Sequence, residues 1–425
     1  MLGFIYLLLC FLLGWVICSY AFPGLTNLSK TSYSHKKINV SPYILQLPAW
    51  FITGVIAKTW AVYIIAYICS KMESPLLIAN TIVMSATVII VLVNIYIKSK
   101  ASNKSKSGLL NPVQDRLAID KIIVIKELVL ILGITILATI LMWTTFYIRE
   151  GNLYVGVSVF SDFSPHLGMI RSFSYGNNFP TTYSHFAGED IKYHFMFQFL
   201  VGNLEFLGMR IDWAFNLPSI ISFVSAHLLL YLLAVKMTSK NWVGAVTCIL
   251  FNFRSSKTLF TYLANIPQGD SKLEKLSNNL EFISDTPNED WGLWNLNVYA
   301  NQRHLALGLA VMFYIIILFM PYLYQMFDEL KQANNKSFFE KFRKIFFSKD
   351  AWIIKDLRLA ITSGLLLGSL SFFHGAAVIA CLLVLFVIAI LSKKRLDFLI
   401  MASITIVLSL AQTSFFINGS VVEAG

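Results

Sequence analysis

Hydrophobic residues fall along this chain in long blocks rather than in short amphipathic stripes. Windows at 2–21, 47–70, 75–97, 126–148, 214–236, 304–327, 375–392 and 397–416 are long and apolar enough to cross about 30 Å of hydrocarbon. Two shorter windows, 241–254 and 358–373, cross if flanking residues complete them. A further stretch, Tyr193 to Gly208, holds Gln198, Asn203 and Glu205 within it. Only segments that satisfy their own backbone hydrogen bonds survive in lipid, so the pattern predicts an all-α polytopic membrane protein with about ten transmembrane helices.

Composition agrees with the pattern. Of 425 residues, 56% are hydrophobic and 13% charged, and the mean hydropathy is +0.66. Those values exclude a cytosolic enzyme and a disordered chain. The five cysteines, Cys10, Cys18, Cys69, Cys248 and Cys381, all lie in apolar runs, so neither a disulfide framework nor a CxxC metal site is expected. The first window has no basic n-region and no small-residue cleavage site, and reads as a retained span.

Charge then sets the topology. Loops 98–126, 328–358 and 392–397 are basic and are expected in the cytoplasm, which requires an even number of crossings between the first two. Spans 126–148, 214–236, 241–254 and 304–327 supply four, so 193–208 is expected to lie along the interface or re-enter without crossing. One alternating path then satisfies every loop, with the N-terminus outside. The outer loops carry ten Lys/Arg against fourteen Asp/Glu and the inner ones 23 against nine, with Lys58 in mid-span. The net charge of +11 is thus a topogenic and lipid-facing feature, with no nucleic acid among the expected partners. The chain divides into N-terminal helices (1–125), a module at 126–255 with a first outer loop at 149–213, a second outer loop at 256–303, and C-terminal helices (304–425) that include the basic segment 328–358. Within that segment 336–348 interleaves Phe with Lys and Arg and reads as an inner-leaflet anchor.

The outer face is where ionisable side chains gather. Five of seven histidines, His166, His185, His194, His304 and His374, fall there, which points to a site. In the first loop, Ser164 as N-cap, Pro165 at the first helical position and Gly176 past the end frame a short helix. Its stripe of His166, Ile170 and Phe173 suits the membrane surface. Asp162 precedes that helix at its positive end, as a general base, a metal ligand or an ordinary capping acid.

Asp162 with His166 and Ile170-Arg171, the turn Gly176, Phe179, Pro180, the segment Glu189-Asp190-Ile191-Lys192-Tyr193-His194, the apolar stretch ending Leu207-Gly208, and Asn216-Leu217-Pro218-Ser219 opening a span together resemble the first-loop module of the GT-C superfamily. That superfamily of polytopic glycosyltransferases includes oligosaccharyltransferases, protein mannosyltransferases and aminoarabinose transferases. The resemblance covers about residues 126–255. It implies that Asp162 is the first-loop catalytic acid, that Lys192 contacts a lipid phosphate, and that 193–208 is the loop's interfacial helix. Two features depart from the family. The loop follows the fourth span instead of the first, and the chain ends nine residues after its last window where relatives generally continue.

In the second outer loop Glu289 and Asp290 are candidates for a second carboxylate, beside Glu189 and Asp190. Trp291 and Trp294 suit either a sugar ring or the interfacial aromatic belt. Arg303, like Arg171, is a candidate phosphate clamp or headgroup anchor, with His194, His304 and His374 facing the same cavity. His227 and Lys58 read as buried polar links. Asp162, His166, His185 and His194 are candidate ligands for a divalent ion (Mn, Mg or Zn), although no HxxxH or HExxH pair is present.

The expected function is transfer of a sugar from a polyprenyl-phosphate donor to a glycan, lipid or protein acceptor of the cell envelope, with the active site on the extracytoplasmic face of the cell membrane. Asp162, His166, Glu189 and Asp190 would do the chemistry. The alternatives are a transporter or flippase of a lipid-linked or polar precursor, and a membrane acyltransferase or polymer ligase. A transporter is expected to carry midplane polar sites and inverted repeats, whereas here the midplane holds little beyond Lys58 and His227 and no duplicated halves are visible.

Overall fold

A computed structural model of the chain describes residues 1–107, 121–156, 158–186, 188–252, 258–279, 296–332, 337, 339–340, 343 and 346–418. The chain opens with α1 (Leu2–Ala21), the short α2 (Leu25–Leu28), α3 (Tyr43–Ile68), α4 (Pro75–Ser107) and α5 (Lys121–Thr145). A two-stranded hairpin, β1 (Phe146–Arg149) and β2 (Asn152–Val155), leads to α6 (Phe160–Ser174) and α7 (Met196–Phe206). Then follow α8 (Ile211–Thr238), α9 (Asn241–Asn252), α10 (Thr258–Asn265), α11 (Lys272–Ser277), α12 (Leu296–Asn301) and α13 (Leu305–Gln332). After a 3-10 turn at Lys349–Trp352 the chain ends in α14 (Leu357–Gly368), α15 (Ser371–Ile390) and α16 (Arg395–Asn418).

The protein is therefore an all-α polytopic chain. Among the described residues eight helices, α1, α3, α4, α5, α8, α13, α15 and α16, are long and apolar enough to cross a membrane, one for each long hydrophobic window. The two shorter windows became α9 and α14, of twelve residues each. At 1.5 Å per residue each reaches about 18 Å, less than a bilayer core, so length alone does not extend the count to ten. The window 126–148 is cut short because Phe146 begins a strand. There Glu150 (φ 53°) and Gly151 (φ 80°) form a two-residue loop with positive φ at both positions, the geometry that matches the twist of paired strands. Tyr147 and Tyr154 stack across the pair with centroids 5.1 Å apart.

Contacts sort the connections to two ends of the bundle. At one end Tyr20 Oη donates to Asn94 (3.0 Å), His35 bonds Asp328 (2.8 Å), Lys393 pairs with Glu329, and Arg358 reaches the Tyr20 carbonyl. Residues 22–42, Lys98 and 328–332 belong to this basic end. At the opposite end Gly3 packs on Met209, Tyr63 bonds Thr181 (2.7 Å), and His194 meets His304. The hairpin, α6, α7 and α12 lie here.

The tightest helix pair explains two glycines. A Cβ built on Gly14 of α1 would sit 1.7 Å from the Trp50 carbonyl oxygen of α3, and one on Gly54 would sit 1.7 Å from that of Cys10. Only hydrogen lets the backbones cross so closely, as small residues do between membrane helices. Gly14→Ala and Gly54→Ala are each expected to force α1 and α3 apart and lower the thermal midpoint of the detergent-solubilised protein. Gly133→Ala, in α5, is expected to leave it unchanged, because nothing lies within 4 Å of the added carbon. Equal midpoints for all three would refute this account.

Mid-span polar groups serve as internal links, as the sequence suggested. Lys58 donates to the Tyr6 carbonyl (3.2 Å) and lies over its ring, while His227 Nδ1 donates to Phe223 O (2.7 Å) and its Nε2 accepts from Asn252 Nδ2 (2.9 Å). Lys236, in the last turn of α8, pins the loop after α2 through the carbonyls of Leu28 and Thr31.

Candidate functional site

Helix α6 carries the first group of candidates. It begins at Phe160 with Val159 as N-cap, five residues earlier than Ser164-Pro165 suggested, so Asp162 stands in its first turn and Pro165 lies inside it. The burial of Phe163 against Phe146 and Phe215 explains the early start, since proline near a helix start forfeits only one hydrogen bond. The stripe of His166, Ile170 and Phe173 faces the protein instead of a membrane surface, with all three buried. Helix α7, at eleven residues, is too short to cross, and Met196 to Glu205 are buried against α6, α8, α1 and α3.

Beside α6 and the segment after it lies a cavity of about 650 Å³. Its ionisable lining is Asp162, His166, Glu189, Asp190 and Lys192. Tyr183, Phe186, Tyr193 and Phe195 supply aromatic walls, and Gln198 and Gln302 supply amides. Tyr193 Oη donates to Gln302 Oε1 (3.0 Å), which fixes the amide so that its Nε2 donates to Asp162 Oδ2 (3.4 Å). Lys192 Nζ lies 3.9 Å from Glu189 Oε2, and both side chains are exposed.

At and behind the cavity wall four imidazoles from separate parts of the chain meet, His166 on the wall and the other three behind it. His194 Nε2 and His304 Nε2 are hydrogen-bonded at 2.5 Å. His374 stands 5.6 Å from the first ring and 5.2 Å from the second, and His166 lies 6.0 Å from His304. His374 is not in an open hairpin. It sits in extended backbone at a break in α15, where its Nδ1 accepts from Ala377 N (3.0 Å) and caps the helix that follows. Burial, reinforced by neighbouring imidazoles, holds His194 down at about 3. Burial likewise lowers His166 to about 4, with Asp162 pulling the other way, and puts His304 well below its ordinary value. All three are neutral at pH 7.

An unfolded or opened chain binds protons on these rings near pH 6.5 whereas the packed one does not, so stability falls as pH drops from about 6.5 toward 4. The thermal midpoint is expected to decline across that window, and His194→Gln combined with His304→Gln should flatten the decline. A midpoint independent of pH there would contradict it.

Two expected phosphate ligands are engaged elsewhere. Arg303 is 1% exposed, its guanidinium held between the Phe163 and Phe215 rings. Its N–H groups go to Asn216 Oδ1 (2.7 Å), Ala300 O (2.8 Å), Thr145 Oγ1 (3.0 Å) and Met142 O (3.3 Å). This arginine cross-links α5, α8 and α12, and its buried guanidinium does not line the cavity. Arg171 pairs with Glu205 (3.1 Å), which also accepts from Ser174 (2.7 Å), and it is absent from the cavity lining. His194, His304 and His374 stand behind the wall instead of on it, and His185, beside Ser184, stays apart from the four-ring cluster. Glu289, Asp290, Trp291 and Trp294 lie outside the described residues.

Sequence reasoning did not assign Gln198, Gln302, Tyr183, Phe186 or Tyr193 to the site. The signal for Gln198 was present, since it is one of three polar residues in an apolar stretch. The other two are also partnered from outside α7, Asn203 with Asn80 (2.6 Å) and Glu205 with Arg171. Among the described residues no three His, Cys, Asp or Glu side chains converge on a point that would hold a metal ion. Asp162 and His166 alone do not make a divalent-ion site.

Comparisons of the chain with protein-family models, with curated proteins and with solved structures return no match.

Proposed function

We propose that this chain is a membrane-embedded glycosyltransferase that moves a sugar from a polyprenyl-phosphate donor to an acceptor of the cell envelope. In this reading the cavity opens on the extracytoplasmic face of the cell membrane, and the chain crosses ten times with its N-terminus outside. The gathering of Asp162, Glu189, Asp190 and Lys192 around one aromatic-walled cavity, at the end of the bundle opposite the basic loops, carries the reading. Its support in sequence is the likeness of residues 126–255 to the GT-C first-loop module.

Asp162, half-buried and oriented by Gln302, takes the proton of the acceptor hydroxyl or amide. The freed electron pair forms the new bond to the anomeric carbon as the bond from that carbon to the phosphate oxygen breaks. The pair from that bond leaves with the polyprenyl phosphate, whose charge the Lys192 ammonium offsets. Glu189 holds Lys192 at the rim. No step runs through a metal ion.

The test is to incubate membranes containing or lacking the chain with a radiolabelled polyprenyl-phosphate sugar. Label is expected to leave the lipid fraction only when the chain is present. Consumption of an acyl donor with no consumption of the lipid-linked sugar would overturn the assignment in favour of an acyltransferase.

A further inference from the structure

Arg303 and Arg171 are absent from the cavity lining, which leaves Lys192, at the rim, as the cation for the donor phosphate. Among the described lining residues, the carboxylates of Asp162, Glu189 and Asp190 outnumber the ammonium of Lys192. Gln198 adds a further acceptor. It is 2% exposed, it lines the cavity, and its Oε1 has no hydrogen-bond partner. A buried acceptor left in this state is costly unless a ligand donates to it. The walls are also suited to positive charge. Tyr183 and Phe186 stack at 5.7 Å and 15°, and Phe186 is 64% exposed, so an aromatic face is available for a cation–π contact beside the carboxylates. The carboxylates do not converge as metal ligands do, so they match an organic cation that touches several walls better than a bare ion.

We infer that this cavity binds a ligand bearing a protonated amine. Resting on the transferase reading, the inference makes that ligand the acceptor and leaves the donor phosphate at the rim by Lys192. The ammonium would donate to Gln198 Oε1 and the carboxylates while its apolar side lies against Tyr183 and Phe186. A cavity of about 650 Å³ has room for a group of sugar size.

The test measures binding without turnover, so its result is independent of the transfer assay. Saturation-transfer NMR on the full chain in detergent compares D-glucosamine, at a pH where its amine is protonated, with N-acetyl-D-glucosamine, which keeps the ring but not the charge. Glucosamine is expected to bind at least about tenfold more tightly, in line with a charge-assisted hydrogen bond. Glu189→Gln should weaken it, and Lys192→Gln, which removes the competing cation, should tighten it. Equal binding of the two sugars, or weakening by Lys192→Gln, would overturn the inference. So would Mn²⁺ binding alone, seen by electron paramagnetic resonance and lost in Glu189→Gln, because it would make the carboxylates a metal site.

Discussion

Replacing Asp162 with Asn is expected to lower sugar transfer per unit of membrane-inserted protein by at least about 10²-fold. The amide keeps the shape of the side chain and can still meet Gln302, but it cannot take a proton. Abundance should hardly change, and Asp162→Ala should be equally well inserted, because no side chain caps the N-terminus of α6 and Asp162 has no structural duty there. The two variants therefore separate chemistry from folding. Near-wild-type transfer by the Asn form would remove Asp162 from the mechanism, and a loss of protein in the Ala form would return it to a structural role.

The second large effect concerns stability. Arg303→Met keeps an apolar stem between Phe163 and Phe215 but leaves buried acceptors on Asn216, Ala300, Thr145 and Met142 without their donors. At about 1.5–3 kcal/mol for a hydrogen bond to a charged group, the combined loss is expected to exceed roughly 3 kcal/mol. Folded, detergent-extractable protein and its thermal midpoint should both fall in the absence of any substrate. Lys192→Gln, at an exposed rim position, should leave the midpoint in place. A normal midpoint for Arg303→Met with transfer alone impaired would mean that the guanidinium faces substrate after all.

The long helices were legible in the sequence because lipid imposes a single rule, about twenty consecutive apolar residues per crossing, and α1 through α16 obey it wherever a window was long enough. Within the site, residue type was informative but residue employment was not. Asp162, His166, Glu189, Asp190 and Lys192 do surround one cavity, whereas Arg303 reads in sequence like a phosphate clamp and is a cross-link. What decides between those roles is whether acceptors such as Asn216 Oδ1 and Met142 O, 87 and 161 positions away, come within reach. No local pattern encodes that. Helix α6 was misplaced for a related reason, since Ser164-Pro165 is a sound local start signal that the burial of Phe163 overrides. The burial of α7 was likewise out of local reach, because Asn80 and Arg171, the partners of its Asn203 and Glu205, come from other helices.

The four-imidazole cluster has a consequence for how the protein is made. His166 and His194 enter the membrane early, His304 more than a hundred residues later, and His374 later still, yet the rings of His194, His304 and His374 lie within 5.6 Å of one another. Until synthesis has passed His374, the segment carrying Glu189, Asp190 and Lys192 lacks its backing, and Tyr193 gains Gln302 only once α12 has been delivered. The nascent chain would thus insert its first helices around an unfinished cavity and close it as one of the last events of biogenesis.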